Sequence, residues 1–403
     1  MDDCELDFEE ESEEQSDAEI TLKQVSDAVV YNTDWTTETI ISQFSRGNIN
    51  LYPHFQRRDA WTIIKKSRFI ESILLGLPLP QIVLAENRNE RGKYLVLDGK
   101  QRMLSLLQFM GLIEGKNNLF NLRGLEILKN LNGLNFKDIE RSPDFRDELN
   151  QFYNQTIRSV VIRNWPNEGF LHLVFIRLNT GSVQLSPQEL RQALFPGKFV
   201  DFIEDISYSN KNLQILLRIS EPDFRMRDVE ILLRYFAFSF FISNYAGNLQ
   251  IFLDNTCDYL NKNWEANEEN IKLRAEEFDK SIEASIEIFG AGRVARKWTK
   301  NGLEAKLNRA VLDSISFYFS DDIIRKAALN NAKAIEEAFK SLCLESEEFR
   351  TSIGATTKSL GATSSRFILW GQKLREVLEL DFRIPTFDSG RIKFSGFWKQ
   401  ENE

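Results

Sequence analysis

Tyr94-Leu95-Val96-Leu97-Asp98-Gly99-Lys100-Gln101-Arg102-Met103-Leu104-Ser105-Leu106-Leu107 passes from an apolar run through an Asp-Gly pair into helix-forming sequence. The pattern predicts a strand, a tight turn and a helix that starts at once, a junction at which α/β proteins place phosphates. The helix start offers unpaired backbone N–H groups and a positive dipole end, and Gly99 lets the backbone turn or approach a ligand closely. Lys100 and Arg102 add positive charge. Asp98, at the carboxyl end of the strand, can hold a metal ion, orient a water or accept a proton. Asp-Gly is also an ordinary turn, with Gln101 and Arg102 as solvated first-turn residues. Neither G-x-x-x-x-G-K-[ST] nor G-x-G-x-x-G follows a strand here, which disfavours P-loop and Rossmann readings.

Two flanking blocks have the same polar character. Upstream, Pro53-His54-Phe55-Gln56-Arg57-Arg58-Asp59-Ala60-Trp61 opens a helical run with Ile64, Phe69, Ile70, Ile73, Leu74 and Leu77 at helix spacing, closed by Gly76-Leu77-Pro78-Leu79-Pro80. Downstream, Val174-Phe175-Ile176-Arg177-Leu178-Asn179-Thr180-Gly181 leads into Leu185-Ser186-Pro187-Gln188-Glu189-Leu190-Arg191. There Ser186 and Glu189 fit a capping box with Pro187 at the first helical position.

Around these blocks the first half reads as mixed α and β. Helices are expected at Trp35–Arg46, Trp61–Leu75, Gln101–Gly111, Lys137–Arg141 and Glu168–Leu178. Strands are expected at Ile82–Ala85 and Tyr94–Leu97, which should pair, and at Thr156–Ile162; Ile49–Leu51 is short and extended. Asn117–Asn135 reads as an irregular insert. After about Ile206 strand signals nearly vanish and amphipathic helical patterns take over: Asp228–Asn244, Leu249–Lys262, Glu268–Phe289, Lys306–Phe319, Ile323–Leu342 and Ser364–Glu379. Arg293, Arg296, Lys297 and Lys300 surround Trp298, an ingredient of nucleic-acid binding or simply a solvated face with one packed Trp. Thr351–Arg366 reads as a linker or a loop able to close over phosphates.

The 403 residues suggest two or three domains, and 42% apolar content with 31 Phe is ample for buried cores. Ile231–Ile242, the longest strongly apolar run, contains Arg234 and falls short of the roughly 18 residues a membrane span needs. The N-terminus is acidic where a signal peptide is basic and then apolar, so a cytoplasmic protein without a membrane partner is expected. Cys4, Cys257 and Cys343 are too few and scattered for a disulfide framework or zinc site. The net charge of −9 is uneven: residues 1–19 hold eleven of the 60 acidic residues and no Lys or Arg, leaving 51 basic against 49 acidic residues. Such a tail is expected to be disordered and solubilising; the sharper alternative is that it screens a basic groove in cis.

Three ordered blocks together resemble the N-terminal domain of GmrSD-type modification-dependent restriction endonucleases, a ParB/sulfiredoxin-like domain of bacterial phage-defence proteins. They are F-Q-R…W…F-I-E-S-I-L-x-G-x-P-x-P at Phe55–Pro80, D-G-x-Q-R at Asp98–Arg102, and N-T-G…L-S-x-Q-E-L-R at Asn179–Arg191. The resemblance spans about a third of the chain. It implies a ParB/sulfiredoxin-like domain over 21–205; with the acidic tail over residues 1–20 and the helical patterns that make 206–403 an all-α C-terminal domain, the expected fold class is α+β. The resemblance also implies that the D-G-Q-Q-R-type motif binds a nucleoside triphosphate and supports its metal-dependent hydrolysis, which gates DNA restriction. The family usually has Gln at Lys100 and Leu-Thr-Thr at Met103-Leu104-Ser105. On this reading Asp98, Gln101 and Arg102 are catalytic, with Asp98 on Mg²⁺ and Gln101 on a phosphate oxygen or the attacking water. Gln56, Arg57, Arg58, Gly99, Lys100, Asn179 and Thr180 line the nucleotide, and Glu71, Glu189 and Arg191 support them, the two carboxylates by orienting arginines.

Many relatives end in a His-Asn-His nuclease domain, whereas this chain has only His54 and His172. His172 lies in the apolar run Phe170–Val174 and reads as a packing residue. The expected function is therefore a nucleotide-binding, NTP-hydrolysing component of a DNA restriction or phage-defence system, with a separate nuclease subunit or homo-oligomer as partners. The alternative is a non-hydrolysing nucleotide or DNA sensor that recruits a nuclease.

Overall fold

The computed structural model describes residues 28–49, 51, 61–88, 90–113, 118–167, 170–171, 174, 186–354 and 356–398. They fall into two compact units that divide between Leu194 and Phe195. The break read from the sequence at 205/206 falls inside the helix Lys198–Ser209.

The first unit is built on a four-stranded sheet in the order β1-β4-β2-β3, from β1 (Val29–Thr36), β2 (Ile82–Glu86), β3 (Tyr94–Asp98) and β4 (Thr156–Arg163). β1 and β3 run antiparallel to their neighbours, with Trp35 opposite Ile157 and Leu84 opposite Val96. β2 and β4 are parallel, with Val83 opposite Val160. That connection carries the helices α3 (Lys100–Phe109), α4 (Phe136–Arg141) and α5 (Arg146–Asn154), as a parallel pair requires a crossover. Side chains of β2 alternate between faces. Ile82 and Leu84 join the larger core with Ile70, Ile73, Leu104, Leu107 and Phe152. Val83 and Ala85 join a smaller one with Leu97, Ile162, Trp165, Leu171 and Leu190. The sheet is thus covered on both sides, which explains the uninterrupted apolar run of β2.

The helix expected from Trp35 begins later. The chain stays extended through Thr36, whose Oγ1 caps α1 (Thr37–Ser45) by accepting a hydrogen bond from Thr39 N at 3.1 Å. β1 was not foreseen: it is an edge strand whose exposed Val29 and Val30 mask the alternation of the inward Tyr31 and Trp35 with the exposed Asn32 and Asp34. α2 (Ile63–Leu74) follows the expected pattern, capped by Thr62. The irregular insert is confirmed over residues 118–135, where one 3₁₀ turn at Lys129–Leu131 is the regular structure. It nevertheless buries Leu122, Leu125 and Leu131. Of the helix expected at Glu168–Leu178, only Phe170, Leu171 and Val174 are among the described residues.

The second unit is helical: α7 (Lys198–Ser209), α8 (Lys211–Leu217), α9 (Arg227–Phe241), α10 (Leu249–Lys262), α11 (Trp264–Phe289), α12 (Arg309–Phe319), α13 (Asp322–Asn330), α14 (Ala332–Glu345), α15 (Glu347–Gly354) and α16 (Leu360–Leu378) follow α6 (Pro187–Leu194) of the first unit. α12 is buried along its length, including the polar Asp313, Ser314 and Ser316. α16 approaches it closely at Gly371, where a Cβ would lie 2.1 Å from Tyr318 Oη. The helix expected at Ile323–Leu342 is two, broken at Asn331, whose φ of −120° leaves the helical range and whose Nδ2 donates back to Ala327 O at 2.9 Å. The loop expected at Thr351–Arg366 is largely helix: α15 runs to Gly354 and Ser359 caps α16. Its Ser and Thr residues marked a cap at Ser359 and buried helix positions at Ser352, Thr363 and Ser364 rather than a linker. Two hairpins complete the unit, β5 (Trp298–Thr299) with β6 (Gly302–Leu303) and β7 (Thr386–Asp388) with β8 (Arg391–Lys393). Among the described residues, no helix is long and apolar enough to cross a membrane. Cys257 and Cys343 are buried and not joined in a disulfide, and burial pushes the Cys343 thiol up to about 11.

Candidate functional site

β3 delivers Asp98 to the start of α3, and Gly99 makes the turn with φ +98°. A side chain at 99 would put its Cβ 2.5 Å from Ile82 Cγ2 and 3.3 Å from Ile82 Cα, so the residue must be glycine on both counts. Asp98 Oδ1 accepts from the Gly99 backbone N–H at 2.7 Å, and Oδ2 accepts from Arg102 Nη2 at 2.8 Å. Arg102 Nη2 also donates to Gln81 O at 2.9 Å, which ties the first turn of α3 to the entry of β2. Among the described residues no side chain caps α3, whose leading N–H groups form the positive end of the helix. Every residue from Lys100 to Phe109 is buried.

A second helix start meets this one. Ser186 Oγ accepts from Glu189 N at 3.0 Å and Glu189 Oε2 accepts from Ser186 N at 2.7 Å, the reciprocal capping box expected from the sequence. The other oxygen, Glu189 Oε1, accepts from Lys100 Nζ at 2.6 Å, with both side chains only 5% exposed. Glu189 therefore orients Lys100, not an arginine. Arg191 Nη1 donates to Gln188 Oε1 at 2.7 Å.

Three polar atoms in these two first turns are buried and have no hydrogen-bond partner among the described residues: Gln101 Oε1, Arg102 Nε and Gln188 Nε2. Each unmet group of this kind costs about 1–3 kcal/mol, so an acceptor and two donors left open in adjoining turns favour a polar ligand. Gln188 was not singled out from the sequence. Its signal was its place at the second helical position, next to the capping Glu189.

Glu71 is not brought to this site by any hydrogen bond or ion pair. Its carboxylate accepts from the backbone N–H groups of Glu126 at 3.1 Å, Ile127 at 2.7 Å and Leu128 at 2.8 Å. Burial alone would raise its pKa, but the three N–H groups and Arg68 outweigh that and hold the carboxyl below the ordinary glutamate value. It pins a loop. A buried cation nearby in sequence, Lys66, donates to Gln108 Oε1 at 2.7 Å, and burial lowers its ammonium to about 8. Gln56, Arg57, Arg58, Asn179 and Thr180, as well as His54 and His172, lie outside the described residues.

Among the described residues, no group of three or more His, Cys, Asp or Glu is placed to hold a metal ion. Asp98 offers a single carboxylate, 24% exposed, and Glu189 is committed to Lys100. This suits Mg²⁺ only in the form that takes one carboxylate together with substrate phosphates.

The basic cluster around Trp298 is not an open stacking platform. Arg293 and Lys340 lie over the indole at 5.6 and 5.1 Å, Lys297 pairs with Glu304 at 3.3 Å, Arg293 pairs with Glu336, and Arg296 is buried.

No curated protein and no solved structure matches the chain. A family model does, that of the GmrSD restriction endonuclease N-terminal domain, over residues 38–196, which contain β2, β3 and β4 of the sheet, the Asp98–Arg102 junction and the capped start of α6. On that match and this geometry, residues 38–196 belong to the family of GmrSD restriction endonuclease N-terminal domains.

Proposed function

We propose that the protein is a component of a DNA restriction or phage-defence system whose first unit binds a nucleoside triphosphate at the junction of α3 and α6 and hydrolyses it. The observation that carries this reading is the start of α3, uncapped among the described residues, with Gln101 Oε1, Arg102 Nε and Gln188 Nε2 buried and unmet by them. Phosphate oxygens would accept from the leading N–H groups of α3 and from Arg102. Lys100 supplies a buried positive charge. Asp98 would hold Mg²⁺ with the phosphates, and the ion would spread the charge that develops on the transferred phosphoryl group. Gln101 would orient the attacking water through its open oxygen.

The test is phosphate release from each of the four ribonucleoside triphosphates with Mg²⁺, with and without DNA, for wild type and Asp98→Ala. Turnover in wild type should fall by about a hundredfold or more in the variant, equivalent to roughly 3 kcal/mol of transition-state stabilisation. Full turnover in Asp98→Ala would sink the assignment.

The Lys100–Glu189 pair favours a second reading, a nucleotide sensor without turnover that recruits a separate nuclease. Where the family usually has Gln, this chain has a cation already neutralised by a buried carboxylate. Saturable nucleotide binding without phosphate release, tightened in Glu189→Gln, would support it.

A further inference from the structure

The end of the second unit carries a concentration of positive charge that this reading does not use. Arg375 in the last turn of α16, Arg383 in the segment that follows and Lys393 on β8 line one cleft of about 530 Å³. Ser243, Thr386 and Ser395 add hydroxyls to the same wall. The volume is that of a ligand site, well beyond what a single inorganic anion fills.

The frame that presents these groups is fixed. β7 and β8 turn through Ser389 and Gly390, both at positive φ, and the hairpin buries Ile392. Phe394 N donates to Ser243 Oγ at 3.1 Å, and the rings of Phe394 and Phe397 each pack against Phe317 with centroids 5.1 Å apart. Trp398 Nε1 donates to Asp321 Oδ2 at 2.8 Å. The cations are therefore held by core aromatic contacts rather than by a free tail.

The present ion-pair partners of Arg375 and Lys393 are easily exchanged. Arg375 pairs with Asp381 at 2.5 Å, but that carboxylate is 93% exposed. Lys393 pairs with Asp388, both well exposed. Arg383 Nη1 donates to Ser395 Oγ at 3.0 Å. Exposed pairs of this kind are weak, so a phosphate can displace them at little cost. Two guanidinium groups, an ammonium and three hydroxyls are the groups proteins use to hold phosphodiester backbones.

We propose that this cleft binds the phosphodiester backbone of a nucleic-acid strand, giving the helical unit a sequence-independent grip on DNA. The proposal rests on the reading of the protein as one that acts on DNA, but its test uses no nucleotide triphosphate and so fails independently of turnover. Binding of the full chain to a fluorescein-labelled 20-base-pair duplex is measured across a sodium chloride series for wild type and Arg383→Gln/Lys393→Gln. The double variant should bind about tenfold more weakly at low salt, and its slope of log affinity against log salt should be shallower by about two, near 0.9 for each lost phosphate contact. Arg375→Gln, which removes one exposed side chain, should lower the slope by about one and serves if the double variant misfolds by circular dichroism. Unchanged affinity and slope in these variants overturns the proposal. A rise in thermal midpoint with inorganic phosphate that the double variant loses, with the DNA slope unchanged, also overturns it, because the cleft then takes small phosphates alone.

Discussion

At Gly99 two demands coincide: φ of +98° and a neighbour, Ile82, whose Cα stands 3.3 Å from where a Cβ would be. The second cannot be relieved by a rotamer change, since Ile82 is fixed in β2 with its side chain fully buried. Gly99→Ala should therefore cost about 2–3 kcal/mol in urea unfolding, from left-handed strain plus overpacking. Wild-type stability in the variant would mean that the turn relaxes and that Asp98 and Arg102 are not held by it. The Asp-Gly turn was legible because its chemistry is local. The partner of Lys100 was not: Glu189 is 89 residues away, and nothing in either segment specifies that the two helix starts meet.

Between elements, Glu71 shows how a charged residue inside an apolar helix pattern can be read for the wrong task. It faces inward on α2 and replaces a missing regular structure by satisfying three consecutive backbone N–H groups of the 126–128 segment. Hydrogen bonds to a charged acceptor contribute about 1.5–3 kcal/mol, so Glu71→Gln should destabilise by about 2 kcal/mol at neutral pH. Its folded-state value lies below the unfolded one, so this stability is present above about pH 4.3 and is lost as pH falls through the folded value. The difference between wild type and Glu71→Gln in urea midpoints should be largest above pH 5 and shrink towards pH 3; a difference independent of pH would assign the effect to packing. Elements with a buried face were legible: β2, β3, β4, α3 and α10 lie where their periodicity put them. β1 was missed because it is an exposed edge, and the α13–α14 break because Asn330-Asn331 interrupts the helix without interrupting its apolar stripe. The short strands of the hairpins were missed because two or three residues carry no periodicity.

The molecule as a whole combines two kinds of interior. The first unit is a sheet covered on both faces, with buried polar groups at the two helix starts and others, Lys66 and Glu71 among them, within its helical cover. The second packs helices around an ion cluster that no periodicity announces. Asp313 on α12 accepts from Arg234 Nε at 2.9 Å and Nη2 at 2.6 Å, and Arg366 of α16 stands 3.6 Å from the same carboxylate. Glu230, a turn before Arg234 on α9, accepts from Arg309 Nη1 at 2.7 Å. Arg234 and Arg366 are each 2% exposed, so their charges have no access to bulk water. Removing one member of such a cluster costs about 3–5 kcal/mol because its partners stay charged and buried, whereas replacing a pair by apolar groups costs much less. Asp313→Leu should accordingly lower the stability of the helical unit by about 4 kcal/mol, and Arg234→Met by a similar amount. The double variant should lose clearly less than the two together, a coupling that urea unfolding of all four proteins measures. Additive losses would show that the Arg234–Asp313 contact is incidental and that α9, α12 and α16 are held by their aromatic packing alone, among it Phe238 and Phe317 against Phe367.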